Sequence, residues 1–370
     1  MRIAILTLPL QINYGGIVQN YALQTVLRGM GHEVETINLK RALLWKKYDI
    51  SFLKRIVKPG TPKAKRHIRQ FIDQHIRLTA PFYNKRDFLK HDFSAFGAII
   101  VGSDQVWRAC YAYPDLYTYY LDFVDSRTAG KGIRKIAFSA SLGTDAAEYT
   151  PEQIQKCGAY IRQFDRVSVR ENSALTLMND VYKWTCKTAP VQTLDPTMLL
   201  CKDDYIGISA SYGREETQGG LFYYILDMTE EKRSLIRKIS SDLGVKPFTV
   251  KRKSRRWYDK PEDRMVPPVE EWLQAFHNAR YVFTDSFHGS VFSIIFNKEF
   301  IAFGNKKRGM DRFHSLLDTF NLAGRLIGSA SEYRADLYEN AIDWTSVNGI
   351  LDGERQRAVD FLVCSLSVYA

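Results

Sequence analysis

The sequence contains few cysteines and no long apolar run. Five of its 370 residues are cysteine, which is an odd number, and no two of them form a C-x-x-C pair. Neither a disulfide framework nor a cysteine-based zinc site is therefore indicated, and a reducing compartment fits best. No stretch approaches the roughly 20 apolar residues of a membrane span, and the apolar run at residues 3–6 is too short for a signal peptide. We expect a cytoplasmic protein that binds no metal.

The sequence also lacks internal repeats and low-complexity tracts, and the segment at residues 13–16, with glycines at 15 and 16, does not form a G-x-G-x-x-G dinucleotide motif. Short β-type runs instead alternate with helical runs, over a chain long enough for two domains. This alternation predicts an α/β fold with two Rossmann-like lobes that face each other across a cleft. We predict a first lobe at 1–197, a second lobe at 198–345, and a C-terminal helix at 346–370 that packs back on the first lobe.

Positive charge is concentrated in one predicted helical insertion of the first lobe. Residues 41–90 contain 14 Lys and Arg and 3 Asp and Glu, which accounts for the net charge of +11 and leaves the rest of the chain close to neutral. Apolar residues such as Trp45 and Phe52 lie between these cations. Two interpretations stay open: a solvated insertion, or peripheral contact with an anionic membrane at its inner face. Nucleic acid, which a basic segment can also bind, is not expected, because polar residues cluster at the predicted strand ends.

The most informative segment follows the predicted strand at 281–284. Ligands of open parallel sheets bind at the carboxyl ends of strands, and this strand leads into a helix predicted to begin near Gly289. Ser286 could cap that helix, and its first turn, which includes Ser290, would present N–H groups to an anion. His288 stands at the same place and could act as general acid or base near neutral pH.

Cations follow two other predicted strands. Arg170 comes directly after the strand at 166–169, and a basic loop follows the strand at 300–303. Such cations would bind phosphate or carboxylate groups, for which Arg is the better bidentate partner. Surface ion pairs or solvated charges are the alternative. The cations of the basic loop are Lys306, Lys307, Arg308 and Arg312.

Two strand ends of the first lobe contribute acidic, amide and aromatic groups. Asp104, after the strand at 98–101, could activate a sugar hydroxyl, and Trp107 could stack on a pyranose ring. The alternatives are a helix cap for the first and a core position for the second. Glycines after the first strand would let a ligand approach the backbone. The predicted acceptor-binding residues are Asn13, Tyr14, Gly15, Gly16, Gln19, Ser103 and Trp107.

Taken in order, six segments resemble the polysaccharide pyruvyl transferase family: residues 12–16, 19–24, 101–107, 168–171, 194–197 and 279–303. The resemblance covers nearly the whole chain. It implies a GT-B-like fold and phosphoenolpyruvate as co-substrate, with no further cofactor. The acceptor would be a sugar of a polysaccharide or of a lipid-linked glycan, which receives pyruvate as a cyclic ketal while phosphate is released.

The same resemblance implies roles for individual residues. His288 looks like the family's catalytic histidine, and Arg170 and the basic loop look like its donor-binding elements. Some members have an arginine where this chain has Ser286, so we predict that Arg308 or Arg312 supplies the second cation. The predicted donor-binding residues are Arg170, Ser286, Gly289, Ser290, Lys306, Lys307, Arg308 and Arg312.

We assign proton transfer to His288 and activation of the acceptor to Asp104, with the donor mainly on the second lobe and the acceptor on the first. The alternative function is a nucleotide-sugar-dependent glycosyltransferase of the same fold. It would place a diphosphate at the helix N-terminus that begins near His288. Fold alone does not separate the two, because function depends on the site.

Overall fold

The computed structural model describes residues 1–40, 64–124, 132–212, 217–254, 258–304, 309–334 and 336–367. Its strands form two parallel sheets, with the orders β2-β1-β3-β4-β5-β6 and β11-β10-β9-β7-β8. The strands of the first sheet are β1 (Arg2–Leu6), β2 (Glu33–Thr36), β3 (Ala98–Val101), β4 (Arg134–Ala140), β5 (Arg166–Val169) and β6 (Val191–Gln192). Those of the second are β7 (Leu221–Tyr224), β8 (Pro247–Phe248), β9 (Tyr281–Thr284), β10 (Glu299–Phe303) and β11 (Leu326–Ile327).

Helices alternate with these strands, as the sequence predicts for two Rossmann-like lobes. In the first part of the chain they are α1 (Tyr14–Gly29), α2 (Arg66–His75), α3 (Lys85–Lys90), α4 (Ala109–Ala112), α5 (Pro151–Ile161), α6 (Asn172–Thr176) and α7 (Lys202–Ser209). In the second part they are α8 (Glu230–Leu243), α9 (Pro261–Arg264), α10 (Val269–Asn278), α11 (Phe287–Ile295), α12 (Asp311–Thr319), α13 (Asp336–Glu339) and α14 (Trp344–Leu366). The two-lobed α/β architecture is therefore confirmed.

Local sequence explains most of these elements. Every residue of β3 and β9 is buried, which is typical of parallel strands covered by helices on both faces. Helix α5 begins with a capping box, in which the side chains of Thr150 and Gln153 each accept from the other's backbone N–H. Helix α8 ends at Gly244, whose left-handed backbone suits a glycine.

Three boundaries differ from the predictions. Helix α1 begins at Tyr14, so the glycines expected in a loop lie in the first helical turn. Helix α11 begins at Phe287, which places His288 inside the helix rather than before it. Strand β8, expected at 247–251, is short and pairs with β7 through two residues at the sheet edge. Part of the basic segment, residues 41–63, lies outside the described residues, and helices α2 and α3 follow it.

The two lobes share one apolar core. Tyr14 of α1 stacks on Trp272 of α10 with ring centroids 5.3 Å apart, and its hydroxyl donates to the carbonyl of Pro267 at 2.8 Å. Phe71 of α2 belongs to the same buried cluster as Phe292 of α11. The expected cleft is thus filled by packed side chains along this edge.

The C-terminal helix α14 crosses from one lobe to the other. Its first turns contribute Val347 and Leu351 to the shared core, while Leu362 packs with residues of the first sheet. Arg134 of β4 donates to the carbonyl of Ser365 at 2.9 Å. Across the described segments, no helix combines the length and the apolar character needed to span a bilayer.

Candidate active site between the lobes

The strand order reverses once in each parallel sheet, and the two points of reversal lie on the side where the lobes meet. Strand β1 pairs with both β2 and β3, and β7 pairs with both β8 and β9. At such switch points the loops after neighbouring strands separate and leave room for polar groups. The first lobe brings Asn13 and Asp104 to this place, and the second brings Asp285 and His288.

His288 is almost completely buried where the lobes meet, with 6% of its surface exposed. Its Nε2 atom lies 3.5 Å from Oδ2 of Asp195, and its ring packs edge-on against Phe287 with centroids 5.3 Å apart. On the other side, a Cβ atom added to Gly15 would overlap Nδ1 and Cγ of the imidazole. Both ring nitrogens of His288 therefore face the first lobe.

Asp195 is the centre of the hydrogen-bond network around this histidine. Its Oδ2 atom accepts from Nη1 of Arg170 at 2.8 Å and from the hydroxyl of Ser103 at 3.2 Å. Its Oδ1 atom accepts from the N–H and the hydroxyl of Thr197 at 3.0 and 2.7 Å. Burial alone would raise the pKa of Asp195, but His288 and Arg170 hold this pKa far below its ordinary range.

Arg170 is a fully buried cation surrounded by carboxylates. Besides the pair with Asp195, its guanidinium lies 3.9 Å from Asp104 and 3.9 Å from Glu171. Burial lowers the pKa of Arg170, and the three carboxylates more than compensate, so the net shift is upward. Its Nε and Nη2 atoms have no hydrogen-bond partner among the described residues.

Asp104 has a left-handed backbone, with φ of 75°. This conformation is unfavourable for a residue other than glycine, and such residues concentrate at functional sites. The side chain accepts from the N–H of Gln105 at 2.9 Å and from the amide of Asn13 at 3.1 Å. Asp104 is thus held at the start of α1, beside Gly16.

A second arginine of the predicted donor site reaches the same place. The Cζ atoms of Arg170 and Arg312 lie 4.4 and 5.5 Å from the ring centroid of Phe287. Burial and the charge of Arg170 lower the pKa of Arg312 to about 10. Lys306, Lys307 and Arg308 lie outside the described residues.

The helix α11 is held in place by its neighbours rather than by a side-chain cap. Ser286 occupies the N-cap position, but its side chain makes no capping bond, which corrects that expectation. Asp285 accepts from the N–H groups of residues 226 and 227 and from Lys232 at 2.7 Å. A Cβ atom on Gly289 would overlap the hydroxyl of Thr284, so this glycine serves packing.

Several predicted acceptor-binding residues are part of the core. Trp107 is fully buried, stacks on Tyr120 at 5.0 Å and donates to the carbonyl of Tyr119, so the expected stacking on a sugar is wrong. Tyr14 is committed to the lobe interface. Gln19 is fully buried and donates to Thr7 and to the carbonyl of residue 16. Trp107 and Gln19 therefore face the core of the first lobe, and Tyr14 faces the interface between the lobes.

A cavity connects the network to the outside. It has an empty volume of about 560 Å³, part of it open solvent. Side chains of both lobes and of α14 line it: Arg170, Asp195, Phe287, Ser315, Thr319 and Arg357. At its edge the N–H of Asn172 donates to the hydroxyl of Ser315 at 2.9 Å and ties the lobes together. A small anion can therefore approach Arg170 from this side.

Sequence reasoning missed Asp195 and Phe287 as site residues. Asp195 follows strand β6, so the strand-end rule that indicated Arg170 would also have indicated it. The role of Phe287 depends on two guanidinium groups meeting its ring, which no local pattern reveals. Ser290 is fully buried, and its hydroxyl has no partner within the described part of the chain.

Comparisons with known proteins agree with this architecture. Similar solved structures include a UDP-GlcNAc 2-epimerase from Neisseria meningitidis bound to UDP-GlcNAc, with a TM-score of 0.55, 7% identity and 99% of both chains covered. Arabidopsis thaliana UGT89C1 with UDP-L-rhamnose gives a TM-score of 0.54 at 10% identity, also with 99% of both chains covered. S. aureus MnaA with UDP gives 0.51 at 11% identity, covering 99% of this chain and 97% of the other. The predicted GT-B-like fold is confirmed.

Sequence comparison is more specific about the family. No functionally curated protein matches the sequence significantly. A model of the polysaccharide pyruvyl transferase family, however, matches residues 13–307, which include the carboxyl ends of strands in both lobes. This protein therefore belongs to the polysaccharide pyruvyl transferase family.

Proposed function

We propose that this protein transfers pyruvate from phosphoenolpyruvate to a sugar of a polysaccharide or lipid-linked glycan, as a cyclic ketal, and releases phosphate. The observation that carries the proposal is the pair of buried guanidinium groups, Arg170 and Arg312, which both lie over the ring of Phe287, the residue before His288. Phosphoenolpyruvate carries a phosphate and a carboxylate and needs several cations in one place.

The donor is expected to bind at Arg170 from the cavity side. Its anionic groups would accept from Nε and Nη2 of this arginine, which have no hydrogen-bond partner among the described residues. Arg312 would supply the second cation in place of the arginine that some family members have at the position of Ser286. Buried cations act strongly on a leaving phosphate because little water screens them.

The reaction requires two new C–O bonds and one C–O cleavage at the same carbon. A proton adds to the methylene carbon of phosphoenolpyruvate, and one sugar hydroxyl bonds to C2 and loses its proton. A second hydroxyl then displaces phosphate from C2 and loses its proton as well. We assign proton transfer to His288 and orientation of the hydroxyls to Asp104. Because both ring nitrogens of His288 face the first lobe, the lobes have to open for the acceptor to enter.

The test measures phosphate release from phosphoenolpyruvate with a panel of sugars and lipid-linked glycans, and with EDTA, since we propose no metal or other cofactor. His288→Ala should abolish turnover while phosphoenolpyruvate still raises the melting temperature. His277→Ala, an exposed histidine of α10, serves as control and should remain active. Normal turnover in His288→Ala would refute the role. Stabilisation by UDP- or GDP-sugars instead of phosphoenolpyruvate would favour a glycosyltransferase.

We also propose that the enzyme works in the cytoplasm at the inner membrane face. Among the described residues of the basic segment, Tyr83 and Leu89 are 52% and 51% exposed, and Lys85, Arg86 and Lys90 lie beside them. Cations around exposed apolar side chains suit an anionic lipid surface. Binding to anionic liposomes at low salt, but not to zwitterionic ones, is the expected result. Failure to bind anionic liposomes would contradict it.

A further inference from the structure

We propose that Asp195 is a positioning residue that couples donor binding at Arg170 to the protonation of His288. This coupling rests on the proposed function only in assuming that the donor binds Arg170. The geometry does not depend on it. One carboxylate oxygen, Oδ2, is 2.8 Å from Nη1 of Arg170 and 3.5 Å from Nε2 of His288. A single charge thus serves a cation of the first lobe and an imidazole of the second.

The direction of this carboxylate is fixed. Its other oxygen, Oδ1, is held by two hydrogen bonds from Thr197, and the side chain is completely buried. Asp195 therefore has no freedom to turn toward one partner and away from the other. The donor-free and donor-bound states therefore differ in how much of the negative charge of Asp195 is neutralised by Arg170.

Other charged groups approach His288 from each neighbouring element. Asp104, in the loop after β3, lies beside Gly16 of α1, and the guanidinium groups of Arg170 and Arg312 lie 4.4 and 5.5 Å from the ring of the preceding residue, Phe287. The imidazole also stands in the first turn of its own helix, where the helix dipole disfavours positive charge. Oδ2 of Asp195 lies 3.5 Å from Nε2 of the imidazole, and a carboxylate this close interacts more strongly with a charged partner than with a neutral one.

Because Arg170 and His288 share the charge of Asp195, donor binding and proton supply follow in order. Without donor, Arg170 neutralises much of the charge of Asp195. When the donor's anionic groups bind Arg170, they offset its positive charge, and Asp195 acts more strongly on His288. The imidazole then keeps its proton at the time when the methylene carbon of the donor needs one. Proton supply is in this way tied to the presence of donor.

The protonation curve of His288 tests this directly, by NMR of protein with ¹⁵N-labelled histidine. The chain has seven histidines, and loss of one signal in His288→Gln identifies the residue. Asp195→Asn should move the curve to lower pH by about one unit or more, as expected for loss of an opposite charge within about 4–6 Å. Arg170→Gln should move it to higher pH. A merely structural role for Asp195 would not produce opposite directions.

Two further variants control for folding and location. Glu299→Gln removes a carboxylate at the first residue of β10, the end of the second sheet away from the site, where it pairs with Arg325 at 3.1 Å, and should leave the curve in place. Ser103→Ala removes one hydrogen bond to Oδ2 but keeps the charge. It should move the curve to higher pH, even if Asp195→Asn fails to fold.

Donor dependence completes the test. Phosphoenolpyruvate should move the curve to higher pH in the wild type, and by less in Asp195→Asn. Equal movement in both proteins, or an unchanged curve in Asp195→Asn without donor, would overturn the coupling. None of these measurements needs turnover. Curves that move as expected without any phosphate release would therefore refute the proposed transferase and leave the role of Asp195 intact.

Discussion

Gly15 is required because His288 packs directly against it, a contact that the sequence does not reveal. Its position after the first strand suggested space for a ligand. In the structure the neighbour is the protein's own catalytic candidate, because the backbone of α1 lies against the imidazole of His288. The sequence identifies the glycine as a place of close approach, but it does not say what approaches.

We predict that Gly15→Ala inactivates the enzyme without unfolding it. The added Cβ would overlap Nδ1 and Cγ of His288 and displace the imidazole, and a misplacement of about 1 Å can reduce turnover on the order of 100-fold. Phosphate release measures the effect. Gly29→Ala, at the other end of the same helix with no atom within 4 Å of the new Cβ, should stay active. Full activity in Gly15→Ala would contradict the close packing of His288 against the backbone of α1.

Other site residues were predictable to different degrees. His288 and Arg170 follow buried strands, so their positions followed from the strand-end rule. Trp107 follows a strand as well, yet it turns into the core and stacks on Tyr120. Sequence position fixes where the backbone lies, whereas the direction of a large side chain depends on which cavity it fills.

Among the elements, α12 contributes to the site on two sides. Arg312 in its first turn reaches Phe287, and Thr319 at its end lines the cavity that leads to Arg170. One helix thus carries both a cation that would bind the donor and a side chain that lines the route to Arg170. The sequence indicated Arg312 as a donor-binding cation of the basic loop, but not that it begins a helix whose other end lines the cavity.

Thr319→Trp should block the cavity. The larger side chain would occupy the space next to Arg170, so we expect the KM for phosphoenolpyruvate to rise at least about tenfold, equivalent to about 1.4 kcal/mol. Turnover at saturating donor should change less. His314→Trp introduces the same side chain at an exposed position of the same helix and should leave KM unchanged. Equal KM values in both variants would show that donor enters elsewhere.

Element boundaries were predictable where patterns are long. The buried runs of β3 and β9 and the capped helices α5 and α8 match their expected positions closely. Strands β6, β8 and β11 have two residues each, too few to show any period. They are defined by pairing with a longer neighbour, which is a tertiary interaction.

For the whole molecule, the sequence predicted two lobes but not their common core. Periodicity shows that a helix face is apolar, and it does not name the partner. The partner of Tyr14 is Trp272, more than 250 residues away in a helix of the second lobe. Contacts of this kind link the stability of the lobes.

We therefore expect one cooperative unfolding transition, seen alike by far-UV circular dichroism and tryptophan fluorescence. Trp272→Ala removes the shared contact, should cost about 3–5 kcal/mol, and should separate the transition into two. Trp184→Ala empties a core position within the first lobe and should destabilise without separating it. Two transitions in the wild type would contradict the shared core.

Helix α14 also determines how the lobes can move. The chain passes between lobes twice, once after Asp195 and once along α14, and Arg355 donates to the carbonyls of Met198 and Leu200. The two crossings therefore lie side by side and define a single axis. We expect any opening to be a rotation in which displacement grows with distance from this axis, which paired spectroscopic labels would measure. Asp195 lies three residues before Met198 at this axis, so we expect it to move less than His288 and the distance between the two to report the opening.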